Sequence, residues 1–299
     1  MTAPSAAFPV ARRDDLLRPE PRPWWQLLAG IVIYAVAQLA AGFVAGLFAV
    51  SAQGTMAGLA VAALLSIAGF LAVVPRLTGR PAYELRGPGA TREFGLGLVL
   101  GAATMCLAVG VLAAVGSYRV VDVGLGSGIG VGLMIGVGAA FAEEIFFRGF
   151  LLRLLDKRFG SWPATIVVSL LFGAVHLGNP QATVWGAVAI VLAAGPLLCG
   201  AYLFTRRLWL PIGIHLSWNA VQSGVFGINV SGVGSGRGLI ESELTGPAWL
   251  SGGSMGIEGS VVLVALALAL GLGFLVLAQR RGCMLPRRRL TAAPDRLPA

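Results

Sequence analysis

Long apolar runs separated by short basic loops set the pattern of this chain. The first three cover about Trp25–Val50, Met56–Val74 and Phe94–Val115. A fourth begins near Gly128, and others cover about Trp162–Leu177, Thr183–Thr205, Pro211–Phe226 and Ser260–Ala278. Each comes close to the roughly 17–25 apolar residues that a bilayer crossing needs, the Trp162 and Pro211 runs being shortest. The pattern predicts an all-α, polytopic membrane helix bundle with about eight transmembrane helices.

The polar segments divide the chain. Residues 1–23 form a polar, proline-bearing tail, disordered or interfacial, and Trp24-Trp25 marks a membrane boundary. Residues 24–93 hold two helices and a basic loop, and 94–226 hold the core that carries the chemistry. Residues 227–259 are a Gly/Ser-rich outer loop with Glu241, Glu243 and Glu258, read as a flexible connector or, alternatively, a gate. A last helix, 260–279, leads into a basic tail, 280–299. Segment 149–161 either extends the fourth helix or lies along the surface. Of the 22 Lys and Arg, only Arg119 and Arg237 fall on one side of this alternation, which predicts both termini in the cytoplasm. Small residues four apart, Gly42/Gly46, Gly97/Gly101 and Gly128/Gly132/Gly136, suit close helix packing in lipid.

Composition agrees. The chain is 57% hydrophobic and 12% charged, with mean hydropathy +0.83. Soluble domains carry about twice that charge. A net charge of +9 would suggest nucleic acid in a soluble protein, but here the basic loops account for it, so no nucleic-acid partner is expected. Cys106, Cys199 and Cys283 show no pairing pattern, and the two in apolar runs read as buried hydrophobes. No secretory signal peptide is expected. A single lysine against 21 arginines, with much Ala and Gly, associates the chain with a GC-rich bacterial genome. The expected location is therefore a bacterial cytoplasmic membrane, in multi-pass form.

Three stations carry chemistry. Glu143-Glu144 closes an uncharged run from Val131 to Phe141, with Arg148 following. Ionisable groups at membrane depth are costly and default to function. Glu144 and Arg148 are an i,i+4 pair with the acid first. Glu143 sits about 100° round the helix, free to face elsewhere. The chain's two histidines, His176 and His215, lie inside predicted spans, with Phe172 and Asn219 each four residues from one of them. Glu143 to Lys157 and Trp162 to His176 are equal arms of about 21 Å if helical, so a hairpin between them brings Glu143 and His176 to one depth. His215 fits less well. A full crossing by Thr183–Thr205 would leave it near the basic edge, unless the Trp209-Leu210-Pro211 connection lies deep.

These stations resemble the motifs of the CAAX-prenyl-endopeptidase and bacteriocin-processing (CPBP, or Abi) membrane proteases. Glu143-Glu144-Ile145-Phe146-Phe147-Arg148, Phe172 to His176 and His215 to Asn219 stand in that family's order, within a resemblance over about 95–225. The resemblance implies an intramembrane endopeptidase with a peptide or protein substrate, lipid-modified or not. It implies Glu143 as the base activating water, His176 helping to hold that water, His215 and Asn219 stabilising the oxyanion, and Glu144 with Arg148 orienting the site. Metal dependence stays open. Glu143, His176 and His215 could bind zinc with an open position for water, or the same groups could work without metal. A non-proteolytic scaffold or a transporter is the alternative, since buried Glu and His also serve proton relays. No inverted repeat favours transport. A rhomboid-like serine motif is lacking at 125–128, and no aspartate lies in a span.

Overall fold

In a computed structural model, residues 18–124, 128–234 and 237–286 are described. Expectations for 1–17, 125–127 and 287–299 lie outside them. Helix α1 is Pro23–Leu47, α2 Ala52–Thr78 and α3 Ala90–Ala114. Strand β1, Tyr118–Val123, precedes α4, Gly128–Glu144. A π-helical segment, Ile145–Leu152, joins α4 to α5, Arg153–Phe159. Then come α6 Ser161–Val175, α7 Val184–Leu192, α8 Ala194–Thr205 and α9 Trp209–Asn219. A second π-helical segment, Ala220–Val225, follows α9. Strand β2 is Ile240–Leu244, α10 the short Ala248–Ser251, and α11 Val261–Arg280.

Among the described residues, seven helices are long and apolar enough to cross a membrane, with α4 to α5 forming one of 32 residues and α7 with α8 another. Helix α9 and its π extension make the eighth, too short to count by length alone. It lies at the bundle centre, where Leu210 to Asn219 are all buried. Segment 149–161 thus extends the fourth helix and then turns at Gly160, whose φ of +91° suits glycine. The α7–α8 break falls at Ala193, just before Gly195-Pro196. Side-chain caps mark three helix starts: Ser51, Thr183 and Ser260 each accept a hydrogen bond from the first turn.

Two of the three glycine pairs pack as expected. A Cβ on Gly97 or Gly101 would strike the α9 backbone, and one on Gly132 or Gly136 would strike residues 216–224. Gly42 and Gly46 face open space instead; Gly54, Gly58 and Gly69 on α2 make the close approach to the α1 hairpin arm and its turn. Spacing alone does not say which face of a helix meets a partner. Cys106 is likewise exposed rather than buried, whereas Cys283, outside the spans, is buried; all three cysteines are free.

The basic segments meet at one end. Glu20 bonds Arg153 and Lys157, Arg80 pairs with Glu84, Arg206 with Asp156 and Arg207 with Glu93. Arg206 also donates to the Cys283 carbonyl. Residues 18–22 are therefore docked, and Glu20 is buried down to 4% side-chain exposure. Burial alone would raise the Glu20 pKa, but Arg153, Lys157 and Arg80 together hold it down at about 2. The α8–α9 connection sits within this end: Arg206, Arg207 and Leu208 are buried, and Leu208 N–H donates to the Glu84 carbonyl. That depth accounts for His215 reaching the site.

The other end is a folded cap rather than a loose connector. Strands β1 and β2 pair antiparallel, with Arg119 bonded to Glu243, a ribbon added to the all-helical bundle. Ile228, Val230, Met255 and Ile257 are buried, Met255 lying against Gly186 of α7. Burial of four large apolar side chains stabilises such a cap by roughly 1.5–3 kcal/mol each.

Candidate active site

Glu144 and Arg148 form a buried ion pair that reaches the site through His215. Both side chains are fully buried, and Arg148 Nη1 donates to Glu144 Oε1 over 2.7 Å. The i,i+4 contact survives although α4 gives way to π-helix at Ile145, immediately after the two glutamates. Single π turns inside helices are frequent at functional sites. Phe172 covers the guanidinium, its ring centre 4.4 Å from Arg148 Cζ, and the Cys199 thiol lies against the same group.

The third station joins the first directly. His215 Nδ1 lies 2.8 Å from Glu144 Oε1. An ionised carboxylate only accepts, so Nδ1 carries the hydrogen and the ring's Nε2 is left for the pocket. Asn219, one turn further on, is 4% exposed, and the helix turns to π immediately after it. The second station faces both. His176 Nδ1 lies 2.6 Å from the Phe172 carbonyl, which can only accept, so Nε2 is an acceptor when the ring is neutral. The Phe172 ring sits between the imidazoles, 4.9 Å from His176 and 6.1 Å from His215.

His176, His215, Asn219 and Phe172 line one pocket of about 350 Å3, counted with the space open to its surroundings. Its apolar wall is Ile190, Ala194, Leu197, Leu198 and Ile214, and its rim Trp218, Ser231 and Glu258. Glu143, like Glu144 and Arg148, is not part of the pocket wall. It is half-buried and has a buried Oε2 without a hydrogen-bond partner. Its charge reaches both His215 and Tyr34 of α1, the latter stacked on Phe146 at 5.1 Å.

Glu143, His176 and His215 are the candidate zinc ligands. Among the described residues no group of three or more His, Cys, Asp or Glu is placed to hold a metal ion. Nδ1 of each histidine is bonded to a protein acceptor, which leaves each Nε2 free.

Residues 126–221 match the model of the family described as Type II CAAX prenyl endopeptidase Rce1-like. Over that stretch the chain is similar to that family. No curated protein matches the chain. The Rce1-like segment holds all six predicted site residues, from Glu143 to Asn219, and leaves out α1 to α3, the cap and α11. It supports an intramembrane CAAX-type protease, with a bilayer and a peptide substrate as partners. Trp218, Ser231, Glu258, Tyr34 and Cys199 were not picked out from sequence as site residues. For Glu258 a signal existed: it stands alone among uncharged residues between Glu243 and Arg280, as the glutamate pair does after its own apolar run.

Proposed function

We propose that this protein is an intramembrane endopeptidase that hydrolyses a peptide bond of a membrane-associated peptide with a water activated by its own side chains, without a metal. The observation that carries the reading is the convergence of His176, His215 and Asn219, from two separate helices, on one pocket, with Glu144 of a third helix bonded to His215 and paired with Arg148.

The proposed steps are these. His176 Nε2 accepts a hydrogen bond from the water, and Glu143, which keeps a buried oxygen without a partner, takes its proton. Positioned bases of this kind contribute about 10²–10⁴-fold. The water oxygen bonds to the carbonyl carbon. The resulting oxyanion accepts hydrogen bonds from Asn219 Nδ2 and from protonated His215 Nε2. Glu144 holds His215 through Nδ1, and Arg148 holds Glu144. The C–N bond then breaks, and the proton passes from Glu143 to the leaving amine. The Ile190–Leu198 wall suits an apolar group of the substrate, and the basic end faces the cytoplasm. A second reading is favoured by the absence of Glu143 from the pocket wall: His176 Nε2 itself takes the proton.

Purified full-length protein in detergent, given prenylated and unprenylated peptides, tests this. Cleavage by wild type, its loss in Glu143→Gln and full activity after exhaustive chelation are expected. Cleavage lost in His176→Ala but retained in Glu143→Gln would move the base to His176. Activity lost on chelation and restored by zinc would overturn the metal-free step.

A further inference from the structure

Outside the Rce1-like segment, one carboxylate joins the two histidine-bearing elements. Glu258 lies in the cap, 8% exposed, on the rim of the pocket. Its Oε1 accepts from Trp218 Nε1 over 3.0 Å, and its Oε2 accepts from the Ser231 N–H over 2.5 Å. Trp218 is three residues past His215 and adjoins Asn219. The Ser231 carbonyl in turn accepts from Asn179 Nδ2 over 2.6 Å, and Asn179 is three residues past His176. The chain of bonds therefore runs from the turn after His176, through Asn179, Ser231, Glu258 and Trp218, to α9. Ser231 holds a φ of +51°, a left-handed conformation that a non-glycine residue rarely adopts. Backbone strain of this kind persists where the surroundings over-determine it, and it clusters at working sites. Here it turns the Ser231 N–H towards one partner and its carbonyl towards another.

We propose that Glu258 is a positioning residue, the centre of a clamp through which the cap sets the separation of His176 from His215 and Asn219. The proposal rests on the hydrolase reading above for its kinetic consequence, but not for its structural one. Neither imidazole is braced to the other directly; their shared neighbour is the Phe172 ring. A carboxylate suits the central place because both of its oxygens accept, whereas one end of a glutamine amide donates. Misplacement of catalytic groups by about 1 Å commonly costs about 10²-fold in rate.

The test uses full-length protein in detergent, with a farnesylated CAAX-type peptide and its unprenylated counterpart as probes. Glu258→Gln, Trp218→Phe and Asn179→Ala are expected to lower kcat about 5–50-fold with KM within about twofold of wild type. The Glu258→Gln, Trp218→Phe double variant should be no slower than its slower parent, because both break one link. Hydrogen exchange is expected to quicken together at 176–182 and at 214–221 in each variant, including Glu258→Gln, which keeps the side-chain shape. Faster exchange confined to 227–233, or kcat unchanged, overturns the proposal. A change in KM alone also overturns it, making Glu258 a substrate contact. Should wild type cleave neither peptide, the exchange pattern alone decides on the clamp, and the hydrolase reading fails separately.

Discussion

The two ends of the bundle are closed by different chemistry. At the basic end, the segment before α1, the α2–α3 loop, α5 and the α8–α9 turn are joined by buried ion pairs, with Glu20, Glu84 and Asp156 each facing at least one arginine, and the segment after α11 is held by the bond from Arg206 to the Cys283 carbonyl. At the cap end the bonds are mostly between neutral groups, with Glu258 the buried carboxylate among them. Between the ends lies the pocket, and outside its wall Glu143 and Glu144 each keep a buried oxygen without a partner. Charges answered by charges hold chain segments together; polar atoms left unanswered are available to a reaction. Removing one member of a buried pair should therefore cost stability at the basic end, while pocket substitutions should cost rate.

The largest effect is expected where both apply. Glu144→Ala leaves the Arg148 guanidinium buried without its carboxylate and frees His215, so it should cost about 3–5 kcal/mol of stability and abolish cleavage. Thermal unfolding in detergent, read beside peptide cleavage, measures both. Arg206→Ala should cost a similar 3–5 kcal/mol by stranding Asp156, yet leave the specific activity of the folded fraction near wild type. Asn219→Ala should do the reverse, lowering kcat about 10²–10³-fold with an unchanged unfolding midpoint. Equal stability losses in Arg206→Ala and Asn219→Ala would erase the contrast between the ends.

The smallest effect is a pH dependence at the basic end. The folded pKa of Glu20, about 2, lies below its ordinary 4.5. Its contribution to stability is therefore fully present above about pH 4.5 and is lost as pH falls towards 2. Glu20→Gln should remove that part of the acid sensitivity by lowering stability above about pH 4.5, and leave the specific activity of the folded fraction near wild type. An acid-unfolding curve unchanged by Glu20→Gln would contradict the pairing.

The spans were legible because bilayer crossing demands length and apolarity together, and the membrane-crossing helices lie within a few residues of the runs that specify them. The ion-paired i,i+4 geometry of Glu144 and Arg148 was legible for a similar reason: helical periodicity alone puts them on one face. What escaped was local. Neither π segment, after Glu144 or after Asn219, changes the hydrophobic pattern. Gly42 and Gly46 have a packing spacing but an open face. The cap is rich in Gly and Ser, so its few buried side chains, Ile228, Val230, Met255 and Ile257, form no periodic pattern to read. The direct bond from Glu144 to His215 joins residues 71 apart in the chain, and no local spacing reveals it.

The central claim is that side chains on three helices act on one water molecule. Mass-spectrometric analysis of a prenylated and an unprenylated peptide after incubation with wild type and with Glu143→Gln tests it most directly. The expected result is cleavage at one bond by wild type and at least a 100-fold slower reaction in the variant, with the two proteins unfolding at the same temperature. Cleavage by both at the same rate would contradict the claim, as would an intact peptide with folded wild type across the whole panel.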